Sequence, residues 1–152
     1  MTPPQLATLF TAQIELGPPV ELGRDSKGTR RVVPILGGTF TGTRMSGEVL
    51  PGGADWQLIR EDGVVEVEAR YPLRTADGAL ITAISSGFRH GPAEVLAAIA
   101  AGETVDPALY YFRTRLTFEP GRADYAWLGR LIGLATAARR LSSVELHAYE
   151  VL

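Results

Sequence analysis

The chain predicts a mainly β domain: one antiparallel meander of about eight short strands, of the kind that closes into an up-and-down barrel or packs as a sandwich, with one short helix. Three observations carry this expectation. From Val64 to Arg74 the alternation is nearly strict, with Val65, Val67, Ala69, Tyr71 and Leu73 on one face and Glu66, Glu68 and Arg70 on the other. Asp62-Gly63 and Asp77-Gly78 supply hairpin turns on either side of that run. Only one stretch, opening at Pro92, carries the full set of helix start and stop signals. A length of 152 residues and 45% hydrophobic content fit a single domain, 1–152, with one sizeable core.

The elements follow in chain order. Leu6 to Leu16 carries β-favouring Thr, Phe and Ile and is stopped by Gly17, Pro18 and Pro19. The polar segment Val20 to Arg31, with its turn cluster Asp25-Ser26-Lys27-Gly28, reads as a loop and a flap over one end of the fold. Val32 to Thr43 resumes extended structure. Its glycines at 37, 38 and 42 are not followed by the amphipathic helix a phosphate loop needs, so they read as strand kinks at a barrel corner.

The stretch Gly47 to Trp56 organises the chain: Pro51, Gly52 and Gly53 provide a tight turn, and Asp55 and Trp56 open the strand that runs to Arg60. Ala79 to Phe88 is the next strand after the alternating run. The helix has Pro92 in its first turn, Glu94 near its positive end, an apolar run from Val95 to Ala101, and Gly102 as its stop. Leu109 to Phe118 is a strand, Ala123 to Leu128 a helical turn bearing Trp127, and Arg130 to Ala138 with Val144 to Val151 a final hairpin.

Composition removes several classes of chemistry. A formal charge of −2 and a pI near 5.7 give no basic footprint, so neither nucleic acid nor an anionic membrane surface is an expected partner. With no cysteine there is no thiolate nucleophile, disulfide or thiol-ligated metal. Lys27 is the sole lysine and lies in a polar, Gly-flanked loop, a poor place for a Schiff base. His90 and His147 have no metal-ligand spacing, and Ser85 and Ser86 sit in no nucleophile elbow. No cofactor or metal is expected. Without a basic leader or a run of roughly 20 apolar residues, the sequence points to a soluble, cytoplasmic protein.

GGTFTG, GEVLPGGADW, the ARY of Ala69 to Tyr71, the RHGP of Arg89 to Pro92, the YYFR of Tyr110 to Arg113 and the YAWL of Tyr125 to Leu128 occur in order along nearly the whole chain. In these motifs the chain resembles the domain-of-unknown-function 3237 family. That resemblance implies a compact antiparallel β-barrel, similar in outline to the allene oxide cyclase, dirigent and calycin barrels. It carries no catalytic residue over.

A small barrel of about eight strands either fills with side chains or holds one small ligand. Asp55, beside Trp56 at a strand start, reads as a general acid or base if desolvated, or as an acceptor for turn amides around Gly52 and Gly53. Arg113 shares a strand face with Tyr111 and Arg115, and Arg70 shares one with Glu68. If those faces line the cavity, Arg113 and Tyr111 join Asp55 in catalysis by holding a charged oxygen, and Glu68 and Arg70 bind ligand. If instead they form an exterior charged ladder, worth ~1 kcal/mol or less per pair, then Val65, Val67, Phe112 and Leu116 fill the interior and any site gathers at a barrel mouth. Trp56, Trp127, Tyr125 and Tyr149 read either as aromatic walls for a ring-shaped ligand or as core.

Two functions follow: a cofactor-independent isomerase, cyclase or lyase working by acid/base catalysis on a small apolar or aromatic oxygenated molecule in the barrel, or a non-catalytic carrier or sensor of such a molecule. Self-association into a dimer or trimer fits the apolar alternation.

Overall fold

The structure, a computed structural model, describes residues 1–152. Its strands are β1 (Leu6–Leu16), β2 (Val20–Asp25), β3 (Gly28–Thr41), β4 (Ser46–Val49), β5 (Gly53–Arg60), β6 (Val65–Thr75), β7 (Leu80–His90), β8 (Tyr111–Pro120), β9 (Gly133–Arg139) and β10 (Ser143–Val151). One α-helix, α1 (Ala93–Ala100), and two 3-10 segments, Pro107–Leu109 and Ala123–Arg130, complete the chain.

All strand pairs are antiparallel, in the order β1-β10-β9-β8-β7-β6, after which β4 and β5 lie end to end between β6 and β3. Pairing of β3 with β1 closes the ring. Since β4 and β5 act as one interrupted strand, the result is a closed eight-stranded barrel, which realises the barrel rather than the sandwich.

β3 is the strand that makes closure possible. One of its edges meets β2 and then β1, and the other meets β5 and then β4, so it must bend midway. Gly38 sits at that bend with φ +139°, and a Cβ there would fall 2.1 Å from the Gln13 carbonyl oxygen. Only glycine allows β1 to come that close. In the turn from β4 to β5, Gly52 takes the positive backbone angle (φ +105°), while Gly53 is needed for a different reason: its Cβ would meet that of Tyr71 at 2.5 Å.

Val20 to Arg31 departs from the expected loop. It forms β2, a turn, and the start of β3, a hairpin arm attached to the free edge of β3. Every residue of β2 is exposed, so the arm has no buried face and leaves no apolar periodicity to read. Its turn is fixed by the Asp25 carboxylate, which accepts the Lys27 amide at 2.7 Å.

Two apolar clusters fill the barrel. At the end closed by the β6–β7 turn, Phe10 packs its ring 5.5 Å from Phe40 and 6.1 Å from Phe118, and Leu128 of the 3-10 segment Ala123–Arg130 plugs the opening with no exposed surface. That plug is tied down by Asp77, which accepts hydrogen bonds from the Thr75 hydroxyl, from Arg122 Nη2 at 2.6 Å and from the Tyr125 hydroxyl at 3.1 Å. Those donors, Thr75 foremost, pull the Asp77 carboxyl down from 3.8 to about 2. A carboxyl lowered on folding contributes stability above its unfolded value and loses it as pH falls toward the folded one. Asp77→Asn is therefore expected to lower Tm at pH 7, with the gap to the parent closing between pH 4 and pH 2. A gap that stays constant over that range contradicts this role, and thermal melts across pH read it directly. The second cluster, which includes Val65, Val67, Phe112 and Ile99, lies at the other end beneath α1.

Candidate active site in the barrel interior

Strand register settles which face points inward. Asp55, Ala69, Ser85 and Leu116 lie in one cross-strand row, and Gln57, Val67, Gly87 and Thr114 in the next. Leu116 has no exposed surface, so both rows face the interior. Between the two apolar clusters a cavity of about 50 Å³ opens, lined by Asp55, Gln57, Ser85, Arg89, Thr114 and Arg139, with Tyr71 among its apolar walls.

Asp55 is held from two sides. Gln57 donates its side-chain amide to Asp55 Oδ2 at 2.6 Å, and the Glu68 backbone N–H donates to Oδ1 at 3.0 Å. Arg31 Nε in turn donates to Gln57 Oε1 at 2.7 Å, which fixes the amide so that its nitrogen faces the carboxylate. Burial pushes the Asp55 carboxyl above its ordinary value; Gln57, the Glu68 amide and the charges of Arg89 and Arg31 pull it back without cancelling the shift. Tyr71 is raised by burial and then by the charge of Asp55.

Three guanidiniums surround this carboxylate. Arg89, 5% exposed, is pushed down to about 10 by burial and by the repulsion of Arg31 and Arg139. Its plane carbon lies 5.3 Å from the Phe112 ring. Arg139 is lowered by burial and by Arg31, and donates through Nη1 to the carbonyls of Arg140 and Ser143. None of the three forms a salt bridge, whereas Arg24, Arg30, Arg44, Arg60, Arg70, Arg74, Arg122 and Arg140 all do. Arg89 Nη1 and Thr114 Oγ1 are buried with no partner in the protein. A buried polar group left so costs about 1–3 kcal/mol, a debt that a bound polar molecule removes.

Of the residues expected from sequence to catalyse or to bind ligand, Asp55 alone lines this cavity, beside Val67 and Phe112, which were expected to fill the interior; Glu68 reaches it only through its backbone N–H. Arg113 and Tyr111 stand on the outer wall, where the guanidinium lies 5.4 Å from the phenol ring and Tyr111 stacks on His90 at 4.7 Å. Arg70 is also outside, paired with Glu119 at 2.9 Å. Trp56 is 58% exposed and shares with the Glu68 side chain a shallow outer depression of about 300 Å³. Trp127 packs against the lower core with Arg44 3.6 Å over its ring, and Tyr149 is half-buried on β10, out of phase with the inward Ala148. The charged face of the meander is thus the exterior ladder, because solvating those charges costs less than enclosing them. Asp55 is not brought together with Arg113 or Tyr111.

The cavity's other polar residues carry a signal in the sequence that alternation makes visible. Arg89 has the same parity on β7 as Ile81, Ala83 and Ser85, and Thr114 the same parity on β8 as Phe112 and Leu116. A charged residue in phase with the apolar face is the mark of an enclosed site. Arg31 shares its phase on β3 with Val33 and Ile35 and sits opposite the inward Gln57, and Arg139 shares its phase on β9 with Ala135 and Ala137, so both carry the same signal at the ends of their inward runs.

Arg89 and Arg139 also line a second, outer space of about 520 Å³ between the barrel mouth and α1, with Ile59, Leu96, Ile99 and Leu141 among its apolar walls. No group of three or more His, Asp or Glu side chains gathers where a metal could be held, and no helix is long and apolar enough to cross a membrane.

Fold and site together define a small closed antiparallel β-barrel with a charged, partly unpartnered belt inside it. The chain belongs to the DUF3237 family, described as "Protein of unknown function", whose pattern it matches over residues 4–151. It is 42% identical over 144 residues to the UPF0311 protein RPA1785 of Rhodopseudomonas palustris, covering 95% of this chain and 94% of that one. The crystal structure of RPA1785 superposes with a TM-score of 0.94, at 39% identity and over the full length of both chains. A Clostridium acetobutylicum protein of unknown function has a TM-score of 0.90 at 37% identity, over 100% of this chain and 99% of its own. The hydroalkoxylation enzyme phnH of Penicillium herquei is 31% identical over 85 residues, 56% of each chain.

Proposed function

We propose that this barrel is a cofactor-independent acid/base enzyme of the isomerase, cyclase or lyase type, acting on a small oxygenated, partly apolar molecule held in its interior. The observation that carries the reading is the placement of Asp55, a half-buried carboxylate with a raised pKa, on the wall of one cavity with Arg89, whose Nη1 has no protein partner. A carboxylate made more basic by burial takes a proton from a C–H beside a carbonyl or from a phenolic O–H. The electron pair stays on the resulting enolate or phenolate oxygen, where a preset guanidinium stabilises it. The proton then returns from the Asp55 carboxyl to a different atom as a C–O or C–C bond forms or breaks. No electron is gained or lost overall. Gln57 and Arg31 are positioning residues that keep the carboxylate aimed.

Hydroalkoxylation, the reaction in the name of the Penicillium relative, adds an O–H across a double bond and belongs to this class when both groups lie in one molecule. That relationship supports the reading without defining the substrate.

A carrier or sensor is the second reading, favoured by the unpartnered Arg89 and Thr114, which suit binding as well as turnover. The two separate in one experiment. A panel of hydroxyaryl enones, 2′-hydroxychalcone included, is incubated in deuterated buffer and followed by NMR for cyclisation and for deuterium incorporation. Exchange or product that depends on Asp55 supports the enzyme; panel members that bind and emerge unchanged from the wild type support the carrier.

A further inference from the structure

The inner chamber is too small for a whole ring. At about 50 Å³ it holds a group on the scale of one or two waters, each of which takes roughly 30 Å³ in the liquid. The outer space, about 520 Å³, is large enough for the body of a small ligand, and Arg89 and Arg139 line both. A molecule using both spaces has a small polar head and a larger apolar body.

Charge decides what the head must be. Arg31, Arg89 and Arg139 face a single carboxylate, Asp55, so the belt keeps an excess of positive charge even when Asp55 is ionised. Asp55 is turned toward Gln57 and the Glu68 amide and makes no salt bridge with any of the three. The two groups left without protein partners, Arg89 Nη1 and Thr114 Oγ1, belong to side chains only 5% and 6% exposed. A guanidinium N–H and a hydroxyl donating together suit an anionic oxygen, and the excess of guanidinium over carboxylate charge around the cavity disfavours a cationic head.

We infer that the barrel binds the anion of an amphiphilic organic acid head-first, its charged oxygen on Arg89 Nη1 and Thr114 Oγ1 and its apolar body in the outer space against Leu96 of α1. The inference deepens the enzyme reading and rests on it for the site, and it assigns the ligand class. Arg139 and Arg31 flank the head, and Ile59, Ile99 and Leu141 cover the body.

Calorimetry tests this with the intact protein. The probes are 2-naphthoate against neutral 2-naphthamide, and 4-nitrophenolate, at a pH where it is ionised, against 4-nitroanisole. Each anion is expected to bind at least about tenfold tighter than its neutral partner, the effect of losing a charge-assisted hydrogen bond. Preference for naphthoate alone identifies a carboxylate head, and preference for nitrophenolate alone a phenolate head. Thr114→Val, which keeps the shape of the side chain and removes the hydroxyl, is expected to weaken anion binding several-fold and leave the amide unaffected. Leu96→Asp should weaken both naphthyl probes together.

Neutral probes that bind as tightly as the anions, or a Thr114→Val protein that binds both alike and unchanged, overturn the inference. The wild-type comparison of anion with neutral probe stands even if the Thr114→Val or Leu96→Asp protein fails to fold. Failure here is distinguishable from failure of the enzyme reading: enone cyclisation without anion preference overturns only the ligand class, and anion preference with no exchange or product overturns only catalysis.

Discussion

Asp55→Asn is expected to abolish turnover, by about 10²–10⁴-fold, while leaving the barrel folded and removing a pH-dependent cost of stability. The carboxyl is raised by burial, so the folded protein holds its proton more tightly than the unfolded chain. As pH rises through the ordinary value of 3.8, the unfolded chain releases that proton first, and the parent loses stability until the folded carboxyl has ionised as well. Asparagine never ionises. It also rearranges the contacts with Gln57 and the Glu68 amide, which adds an offset independent of pH. The diagnostic quantity is the trend: from pH 3 to pH 8 the variant should gain stability relative to the parent, each unit of the shift being worth ~1.4 kcal/mol. A variant that loses ground as pH rises would mean that Asp55 is stabilised by its surroundings and serves the fold. A residue that costs stability and supports chemistry is the usual trade at an active site.

Phe10→Ala has the largest expected effect on folding. The ring is 1% exposed and lies at the meeting point of β1, β3 and β8 through Phe40 and Phe118. Truncation removes the transfer free energy of the ring and leaves a cavity that three closed strands cannot collapse around, ~3–5 kcal/mol in all. For a chain of this size that corresponds to a fall in Tm of about 6–20 °C. The cavity opened is far from Arg89, at the end closed by the Ala123–Arg130 segment, so ligand affinity measured on the fraction still folded should be unchanged. A fall of less than about 2 °C would show that the lower cluster does not hold the barrel together.

How much of this was legible in the sequence depends on whether a residue's neighbours share its phase. β1 runs over Leu6–Leu16 as its composition predicts, and β6, β7, β9 and β10 fall within a few residues of their expected bounds, because one buried face imposes alternation. β2 was illegible because neither of its faces is buried. For the site, Asp55 stood out as a carboxylate at a strand start, and it does line the cavity. Arg113, Tyr111 and Arg70 carried the right chemistry on the wrong parity: Phe112 and Leu116 occupy the inward positions of β8 between them. Arg89 was hidden beside a more conspicuous histidine, although its phase with Ile81, Ala83 and Ser85 marks it as inward. Alternation puts Arg31 in phase with Val33 and Ile35 and Arg139 in phase with Ala135 and Ala137, but that the two converge on Asp55 is a product of barrel closure and exists only in three dimensions.

The enzyme reading depends on Asp55 being a desolvated, proton-exchanging carboxylate inside the barrel. The most direct measurement is a carbon-detected NMR titration of the Asp55 side-chain carboxyl in the wild-type protein, with Asp55→Asn used to assign the resonance. A midpoint above 3.8 is the expected result, since burial outweighs the pull of Gln57, the Glu68 amide and the two guanidiniums. A midpoint at or below 3.8 would contradict it, leaving Asp55 as a permanently ionised partner of the arginines and the barrel without its acid/base group.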